Sequence, residues 1–519
     1  MPVRIWRVAL FVCAAVQLAH ASRILFATGT PAPAHQKVFQ PVWKELSLRG
    51  HQVHVLTPNP LKNAALINLT EYDLSDIYKE VEKAYRTELK DRVVDHTKPN
   101  TLRLFTKEHF NSLLWSKLFD GVLGHRETQR LLKENLQFDV AIIEWLFPTM
   151  AGLGAHYGCP TIGIMSFGGQ VTTLDTLGNP SHPILAPDVN LPFKRDLMFK
   201  ERLVSFLHAI FVRMYYHWAI LPREDAIVKK HLGEDMPYLG DIERNVSLLL
   251  LNTNLVFHRQ MPLLPNVVQT GGISFPKHSP RAMSPELSAF LDNSKNGVIY
   301  CSFGTSVRTF LLPSNMLDAM KSVFSSLPYG VVLKWENGSM YEKPENVFIA
   351  DWIPQTAVLE HPNTKLFITQ GGLQSIEEAI AAHVPILGVP FHSDQMANVD
   401  ACDRYGMGEL LEMERFTFES LRKLIVRILN DHQSYVTNAK KLDELMSDRP
   451  ADGLEKAIWW IEYVIRHKGA KHMRNSTVDM SLWQYFMLDI IGTIVLAIVL
   501  LIGVFRFIWR SCKQKRKSY

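Results

Sequence analysis

The sequence predicts an α/β protein with two parallel-sheet domains, followed by one membrane-spanning helix. Short apolar runs of strand length alternate with helical patterns, which is typical of a parallel sheet. This alternation begins near residue 22 and restarts near residue 297, after a stretch rich in Pro, Gly and Ser. With 519 residues the chain is too long for one ordinary core. It suits two domains of about 200 residues each.

The first half of the chain is predicted to form the first sheet. Gln36–Leu48 carries apolar residues at helical spacing and lies between two apolar runs, which together make a βαβ unit. The charged stretch Thr70–Arg130 is predicted to be mostly helical. The runs of strand length are Ser22–Thr28, His51–Leu56, Phe138–Trp145 and Thr161–Met165.

The second half repeats this pattern and predicts the second sheet. The linker is placed in Pro262–Pro285, so residues 22–275 form the first domain and residues 276–470 form the second. Two open parallel sheets joined once enclose a cleft, and ligands bind at the carboxyl ends of such strands. The predicted strands are Gly297–Phe303, Tyr329–Trp335, Val347–Ala350, Leu366–Thr369 and Ile386–Val389.

Both ends of the chain are predicted to be targeting segments. Two arginines precede the apolar run Val8–Leu18, and a small-x-small cleavage site follows, so residues 1–21 are predicted to be a secretory signal peptide. A buried first element is the alternative. Residues 485–507 have an uncharged apolar centre and aromatic flanks, which predicts a transmembrane helix. The tail, residues 508–519, is basic and is expected to lie in the cytosol, with the body in the lumen.

The last five residues contain a candidate targeting signal. Lys515 and Lys517, at the fifth and third positions from the end, resemble the retrieval signal of type I endoplasmic-reticulum proteins. This predicts a single-pass protein of the endoplasmic-reticulum membrane whose tail binds coat-type retrieval machinery. A plain stop-transfer cluster is the alternative.

Charge and cysteine content exclude several other classes of protein. The net charge is +5, but the last fourteen residues alone hold six basic residues and no acidic one. The body is therefore near neutral, and a nucleic-acid partner is not indicated. Cys159, Cys301 and Cys402 are an odd set without a CxxC pair, so neither a disulfide framework nor a metal site is predicted.

Luminal sequons predict that some asparagines are glycosylated. A sequon is a permissive signal, so occupancy stays open at each of them. Asn245 abuts a strand-like run and is expected to be poorly accessible. The four sequons begin at Asn68, Asn245, Asn337 and Asn475.

The most specific pattern lies in the second predicted domain. It consists of Trp352-Ile353-Pro354-Gln355, then Phe367–Glu378 (FITQGGLQSIEE), then Pro390–Gln395 (PFHSDQ). These segments and their spacing closely resemble the signature of the UDP-glycosyltransferase family, glycosyltransferase family 1, and TQGGLQSIEEAI resembles its insect-type membrane-bound branch. The resemblance covers effectively the whole chain. It implies the GT-B fold, in which two Rossmann-like domains face a cleft, with a UDP-sugar as co-substrate and no prosthetic group.

The helix that follows Thr369 is suited to binding a diphosphate. Free backbone N–H groups and the helix dipole at Gly371-Gly372 favour an anion there. Glu378, one turn past Ser375, can accept hydrogen bonds from both ribose hydroxyls. The resemblance implies that Trp352 stacks on uracil, although a core aromatic and a solvated Glu378 are the alternatives. It implies a donor site made of Ser302, Gly304, Thr305, Trp352, Gln355, Gln370, Gly371, Gly372, Gln374, Ser375, Glu378, Asp394 and Gln395, of which the last two bind the sugar hydroxyls.

Two positions depart from the family pattern. The family often has histidine and asparagine where this chain has Gln370 and Gln374. A cationic histidine supports a diphosphate through charge-assisted hydrogen bonds, which are roughly twice as strong as neutral ones. Gln370 donates only a neutral amide hydrogen bond. Glutamine at this position also looks usual for the insect-type branch that the chain resembles, so activity is expected to be retained.

The acceptor side is predicted in the first domain. His35 follows the first strand, and the resemblance makes it the general base that removes the acceptor's hydroxyl proton. Imidazole suits this task because its pKa, about 6.5, lies near ambient pH. A carboxylate on the other ring nitrogen would fix the tautomer. The family supplies aspartate for that purpose, and this chain has Glu144; a purely structural histidine is the alternative.

With these residues, the resemblance implies an inverting UDP-glycosyltransferase acting on hydroxyl groups of small lipophilic acceptors, as in detoxification or conjugation. The branch resemblance favours UDP-glucose over UDP-glucuronate, and the lack of any Asp-x-Asp sequence disfavours a metal-clamped UDP. The acceptor pocket is expected around Thr101–Trp115 and Ser166–Leu185. Two alternatives stay open: a GT-B-fold small-molecule binder of the endoplasmic reticulum with weak or no catalysis, and a Rossmann oxidoreductase. A homo-oligomer is also left open.

Overall fold

The computed structural model describes residues 21–84, 101–273, 283–336, 340 and 342–515. Three predictions fall wholly or mainly outside this part of the chain: the signal peptide, the sequon at Asn337 and the domain boundary at residues 275–276. The last four residues of the tail, including Lys517, lie outside it as well.

The first half of the described chain forms a seven-stranded parallel sheet with the strand order β3-β2-β1-β4-β5-β6-β7. The central strands are apolar because helices cover both faces of the sheet. In β4, for example, every residue is buried, and the strand pairs with β1 and β5. The strands are β1 Arg23–Ala27, β2 Gln52–Thr57, β3 Leu69–Asp73, β4 Val140–Glu144, β5 Thr161–Met165, β6 Leu248–Leu251 and β7 Val267–Gln269.

The second half forms a six-stranded parallel sheet with the order β10-β9-β8-β11-β12-β13. Its order reverses between β8 and β11, and at such switch points crevices form outside the carboxyl ends of the strands. The strands are β8 Val298–Ser302, β9 Gly330–Lys334, β10 Val347–Ala350, β11 Thr364–Thr369, β12 Ile386–Gly388 and β13 Gly408–Leu410.

Helices connect the strands and cover the sheets, so that each sheet lies between two clusters of buried apolar side chains. The α-helices are Pro33–Leu48, Ile77–Ala84, Thr101–Gly124, Arg126–Lys133, Ala151–His156, Val171–Thr176, Phe199–Tyr215, Leu221–Leu232, Leu239–Arg244, Pro285–Asn293, Ser314–Ser325, Gln355–Glu360, Leu373–Ala381, Gln395–Arg404, Phe418–Asn430, His432–Ser447, Gly453–Arg466, Leu482–Tyr485 and Leu488–Lys515.

The two predicted parallel sheets are confirmed, but three short strands escape the sequence patterns. Strand β3 lies at a sheet edge, its polar residues do not alternate regularly with apolar ones, and four of its five residues fall in the stretch 70–130 predicted to be mostly helical. Strand β7 lies inside the predicted linker Pro262–Pro285. Strand β13 has three residues. Edge strands and strands of three residues show too little period-2 or continuous apolar character to be recognised.

One helix crosses from the second half of the chain to the first sheet. Gly453–Arg466 follows the second sheet in the chain, within the predicted second domain of residues 276–470. Its buried residues Ala457, Ile458, Ile461 and Val464 pack in the cluster that covers β1, β2 and β4. The chain therefore returns to the first domain before it reaches the apolar C-terminal helix.

The C-terminal helix, Leu488–Lys515, is long and apolar enough to span a bilayer by length and composition. The stretch with these properties is Leu488–Gln514, which begins three residues after the predicted span of residues 485–507 and ends seven residues later. The shift arises at Met487, whose φ of +54° separates the short helix Leu482–Tyr485 from the long one.

Three of the four sequons lie in the described part of the chain. Asn245 is exposed at the end of helix Leu239–Arg244, so the expectation that it is poorly accessible is wrong. Asn68 and Asn475 are partly exposed, and their amide groups contact the carbonyl oxygens of Ser47 and Gly178.

Candidate functional site

Side chains near the carboxyl ends of both sheets meet across a cleft, and His35 and Glu144 lie on its first-domain side. His35 is in the first turn of helix Pro33–Leu48, and Glu144 ends β4. His35 Nδ1 lies 3.0 Å from Glu144 Oε1, with 23% of the histidine side chain exposed but only 3% of the glutamate. The glutamate's extra methylene, relative to the family's aspartate, therefore does not prevent the contact.

The carboxylate of Glu144 is fixed by a second hydrogen bond. The backbone N–H of Thr30 donates to Glu144 Oε2 at 3.2 Å. The side chain of Gln36 holds the same loop by donating to the Thr30 carbonyl oxygen at 3.1 Å. Because the Glu144 carboxylate accepts a hydrogen bond from Nδ1 of His35, we infer that Nδ1 carries the ring proton. The lone pair on Nε2 is then available to take a proton from the hydroxyl group of the acceptor substrate.

The predicted diphosphate loop follows β11. Gly371 has a φ of +87°, and a Cβ there would lie 2.4 Å from Val399 Cγ2, so no other residue fits without a shift of the loop. Gly372 is the N-cap of helix Leu373–Ala381, and no side chain caps that end. The first N–H groups of the helix therefore have no side-chain acceptor, which leaves them available to an anion.

Gln355, Ser375 and Glu378 form one hydrogen-bonded cluster beside this helix. The Gln355 amide nitrogen donates to Ser375 Oγ at 3.0 Å and to Glu378 Oε2 at 2.7 Å. Tyr300 donates its hydroxyl hydrogen to Gln355 Oε1 at 3.2 Å. Trp352, on the same loop as Gln355, is half exposed, as a stacking platform for a base must be. The structure thus joins Gln355, Ser375 and Glu378 by hydrogen bonds, and Trp352 lies three residues before Gln355 in the chain.

Sequence reasoning missed Lys37, which lies two residues after His35. Lys37 Nζ pairs with Glu378 Oε1 at 2.7 Å, across the cleft and 341 residues away in the chain. A lysine in a first-domain helix carries no sequence signal of a partner in the second domain. Both oxygens of the predicted ribose-binding carboxylate are therefore engaged, one by Lys37 and one by Gln355.

The loop after β8 approaches Gln370. Gly304 has a φ of +69°, and a Cβ there would lie 2.5 Å from the Gln370 amide nitrogen. The buried Lys334, also missed in the sequence, holds this loop by donating to the Gly304 carbonyl oxygen at 2.6 Å. Gly304 N lies 3.3 Å from Ser302 Oγ, and Thr305 is partly exposed at the cleft. Gln370 therefore lies against the Ser302–Thr305 loop.

Gln374 makes a contact that the motif did not predict. Its amide nitrogen donates to the carbonyl oxygen of Ser166 in the first domain at 2.8 Å. The longer glutamine side chain, in place of the family's asparagine, reaches across the cleft. In this arrangement Gln374 ties the two domains together.

Asp394 and Gln395 lie at the start of helix Gln395–Arg404. Asn398 links Asp394 Oδ2 (2.9 Å) to the Gly371 carbonyl oxygen (3.0 Å), which joins the predicted sugar site to the diphosphate loop. Desolvation raises the pKa of Asp394, while the Asn398 hydrogen bond and the nearby His35 act in the opposite direction. Gln395 is buried, and its Oε1 accepts from the backbone N–H groups of Phe391 and His392.

A cavity that is open to solvent begins where β4 ends. Trp145, Leu146 and Phe147, which directly follow Glu144, form part of its wall. Both segments expected to line the acceptor pocket contribute, through Glu108, Asn111, Ser112, Trp115, Gln170, Thr172 and Thr173. The remaining wall residues, which the sequence did not suggest, are Pro148, Asp188, Asn190, Val212, Tyr215, Tyr216 and Ile220.

Comparison with known proteins identifies relatives that align with this chain over nearly its full length. The family model described as UDP-glucoronosyl and UDP-glucosyl transferase matches residues 30–518. UDP-glycosyltransferase UGT5 of Dactylopius coccus is 31% identical over 93% of this chain and 91% of its own length. An ecdysteroid UDP-glucosyltransferase of Spodoptera littoralis nuclear polyhedrosis virus is 32% identical over 91% and 93%. Human UDP-glucuronosyltransferase 1A6 is 27% identical over 93% and 91%.

Solved structures show the same fold at lower sequence identity. The spinosyn forosaminyltransferase SpnP matches with a TM-score of 0.55 at 16% identity, covering 86% of this chain and 100% of its own. The glycotransferase of kitacinnamycin matches with a TM-score of 0.54 at 18% identity, covering 86% and 99%. These likenesses confirm the predicted GT-B architecture. The match to the family model over nearly the whole chain, together with the relatives that are 31% and 32% identical, shows that the chain belongs to the family of UDP-glucuronosyl and UDP-glucosyl transferases and is a glycosyltransferase.

Proposed function

We propose that this glycosyltransferase inverts the anomeric carbon of UDP-glucose while transferring glucose to hydroxyl groups of small lipophilic acceptors. The observation that carries the proposal is the His35–Glu144 pair, 3.0 Å apart, facing the predicted donor site across the cleft. The cavity beside β4 has Trp115, Trp145 and Phe147 in its wall next to polar side chains, which supports a small acceptor with an apolar body and polar groups.

The proposed reaction is a single displacement. The acceptor's hydroxyl proton passes to Nε2 of His35 while the acceptor oxygen attacks the anomeric carbon from the side opposite UDP. The bond from that carbon to the UDP oxygen breaks, and UDP leaves with the electron pair. Glu144 stabilises the imidazolium that forms. The open start of helix Leu373–Ala381 stabilises the negative charge that develops on the diphosphate. An α-linked donor then yields a β-glycoside.

We expect UDP-glucose to be used with a higher kcat/KM than UDP-glucuronate. The predicted sugar site offers a carboxylate, Asp394, and a neutral amide, Gln395. The sugar of a glucuronyl donor carries a carboxylate that would lie near the Asp394 carboxylate. Like charges in a partly desolvated site repel each other. UDP release, measured for both donors with a panel of phenols as acceptors, checks this. A preference for UDP-glucuronate would contradict the choice of sugar but not the transferase class.

A second outcome of the same panel concerns the alternative function. If acceptors bind tightly in a direct binding measurement while neither donor is turned over, the chain is a GT-B-fold binding protein rather than an enzyme that conjugates these compounds.

We also propose that the chain is a glycosylated, single-pass protein of the endoplasmic-reticulum membrane with its body in the lumen. The apolar helix Leu488–Lys515 and the basic residues that end it support the anchor and its orientation. Conjugation of lipophilic compounds, as in detoxification, fits an enzyme held at that membrane.

Replacing both Lys515 and Lys517 with alanine is expected to release the protein from the endoplasmic reticulum. Such a lysine signal is read by position, so the matched control replaces Arg510 and Lys513 with alanine, which removes the same charge from other positions. Immunofluorescence and maturation of the N-linked glycans report the location. Unchanged reticular staining of the Lys515/Lys517 variant would count against retrieval through these residues.

A further inference from the structure

One helix of the first domain presents a continuous apolar face to solvent. Helix Phe199–Tyr215 continues through a π-helical turn, Tyr216–Ile220. Large apolar side chains recur along it at spacings of three and four residues, which places them on one face. Trp218 is 74% exposed and Phe199 71%, at the two ends of the face. Its residues are Phe199, Leu203, Phe206, Leu207, Ile210, Met214 and Trp218, here called the apolar face.

The opposite side of the same helix is packed against the first domain. Ser205, His208, Ala209 and Val212 are buried there. The helix is therefore held in place by its buried side, and exposure of the apolar face does not result from a detached segment. Monomeric soluble proteins rarely expose contiguous apolar patches of this kind unless the patch binds a partner or a membrane.

The apolar face lies beside the point where the chain enters the predicted membrane span. The Arg213 guanidinium lies 5.3 Å from the centre of the Phe486 ring, two residues before helix Leu488–Lys515 begins. Arg213 is itself held by Asp175, with Nε 2.6 Å from a carboxylate oxygen. Trp218 is the fifth residue after Arg213, a rise of about 8 Å along a helix. Trp483 and Met487, in the segment that leads to helix Leu488–Lys515, are also exposed apolar side chains.

We propose that the apolar face docks into the interface of the same lipid bilayer that the C-terminal helix spans. The surface is apolar and partly aromatic, and cationic side chains, Lys200 and Arg202, are exposed at its start. An interfacial helix has this composition, with large apolar residues on the lipid side and cations near the headgroups. Continuity with the span selects lipid over a protein partner, because the bilayer surface is already adjacent to Phe486.

This docking has a consequence for substrate entry, which rests on the proposed function. Val212, Tyr215 and Tyr216 of the docked helix line the cavity beside β4. Lipid-dissolved acceptors therefore reach the cavity along a helix that already contacts the bilayer. Docking itself does not depend on catalysis, so the two proposals can fail separately.

The test uses the full chain in phosphatidylcholine nanodiscs with single spin labels. Leu207→Cys and Ile210→Cys carry the label on the apolar face, in a Cys512→Ser background that removes the exposed native thiol. Leu445→Cys is the matched control, since Leu445 is 45% exposed and Leu207 48%, on helix His432–Ser447 of the second domain. Collision rates with oxygen, which concentrates in lipid, and with a water-soluble nickel chelate report the surroundings of each label.

The expected result is that oxygen collides more often than the nickel chelate at residues 207 and 210, with the reverse at residue 445. Nickel-chelate access at residue 207 equal to that at residue 445 would overturn the proposal, because the face would then lie in water. Protection from both reagents would also overturn it, since this indicates a protein surface, such as a second copy, over the apolar face. UDP release with a water-soluble phenol, measured on the same labelled variants, is expected to match that of the native chain.

Discussion

Replacing His35 with alanine is expected to lower kcat by about 10²–10⁴-fold, the usual contribution of a general base. The substitution removes the only group that we propose takes the acceptor's proton. It leaves the diphosphate loop at Gly371 and the cluster around Glu378 in place, so affinity for UDP is expected to stay within about twofold, the size of effect usual for a site that does not touch the ligand. Steady-state UDP release and calorimetric UDP binding separate the two effects.

A second histidine–carboxylate pair offers the control for this experiment. His383 Nε2 lies 3.0 Å from Asp443 Oδ2, on the second domain and in a pair of similar geometry. His383 has a φ of +55°, so asparagine, which tolerates that conformation, is the substitution of choice. His383→Asn is expected to keep the native rate. Equal rates for His35→Ala and the native chain would refute the proposed base.

Glu144→Gln extends the same prediction to the partner of His35. The amide cannot stabilise an imidazolium as a carboxylate does, and it no longer fixes the proton on Nδ1. Because the two residues act as one unit, the double variant is expected to be no slower than His35→Ala alone. Additive losses would indicate that Glu144 acts through some other group, such as the Thr30 loop that it also holds.

Replacing Glu378 with glutamine is expected to weaken UDP binding by about 10–100-fold. A hydrogen bond to a charged group contributes about 1.5–3 kcal/mol, and about 1.4 kcal/mol corresponds to tenfold in affinity. The substitution also leaves the Lys37 ammonium, 2.7 Å from the carboxylate in the native chain, without its charged partner. Calorimetry with UDP measures the change, and Glu360→Gln, an exposed carboxylate on the neighbouring helix Gln355–Glu360, is the control.

The ligand itself can distinguish a ribose contact from a general structural effect. The native chain is expected to bind 2′,3′-dideoxy-UDP more weakly than UDP, because the nucleotide loses both hydroxyl donors. In Glu378→Gln the difference in affinity between UDP and 2′,3′-dideoxy-UDP is expected to shrink. If the substitution only distorted the loop, this difference in affinity would stay as in the native chain. An unchanged difference would argue that Glu378 does not contact the ribose.

Most of the architecture could be predicted because it depends on local patterns. The apolar runs around Val140–Glu144 and Thr364–Thr369 are buried on both faces of a sheet, so their composition alone marks them as strands. Strand β3 and strand β7 lack that signal, being an edge strand and a strand of three residues. The helix start at Gly371-Gly372 was predictable for the same local reason, since strand, glycines and helix are consecutive.

The candidate site could be predicted only in part. Gln355, Ser375 and Glu378 belong to one motif, and the structure does join them by hydrogen bonds. The contacts that cross the cleft could not be foreseen. Lys37 reaches Glu378 over 341 residues of chain, and Gln374 reaches the Ser166 carbonyl over 208. The sequence around a single lysine or glutamine on a helix does not indicate which distant residue its side chain contacts.

The sequence by itself thus determined the family, the two parallel sheets, the apolar C-terminal helix and the composition of the donor motif, because each of these depends on consecutive residues and their spacing. Only the tertiary structure decided how the two sheets face each other, which places Lys37 on Glu378 and seats helix Gly453–Arg466 on the first sheet. It alone also decided which side of helix Phe199–Tyr215 stays exposed next to Phe486. These features depend on the docking of surfaces far apart in the chain, and local periodicity carries no information about that docking.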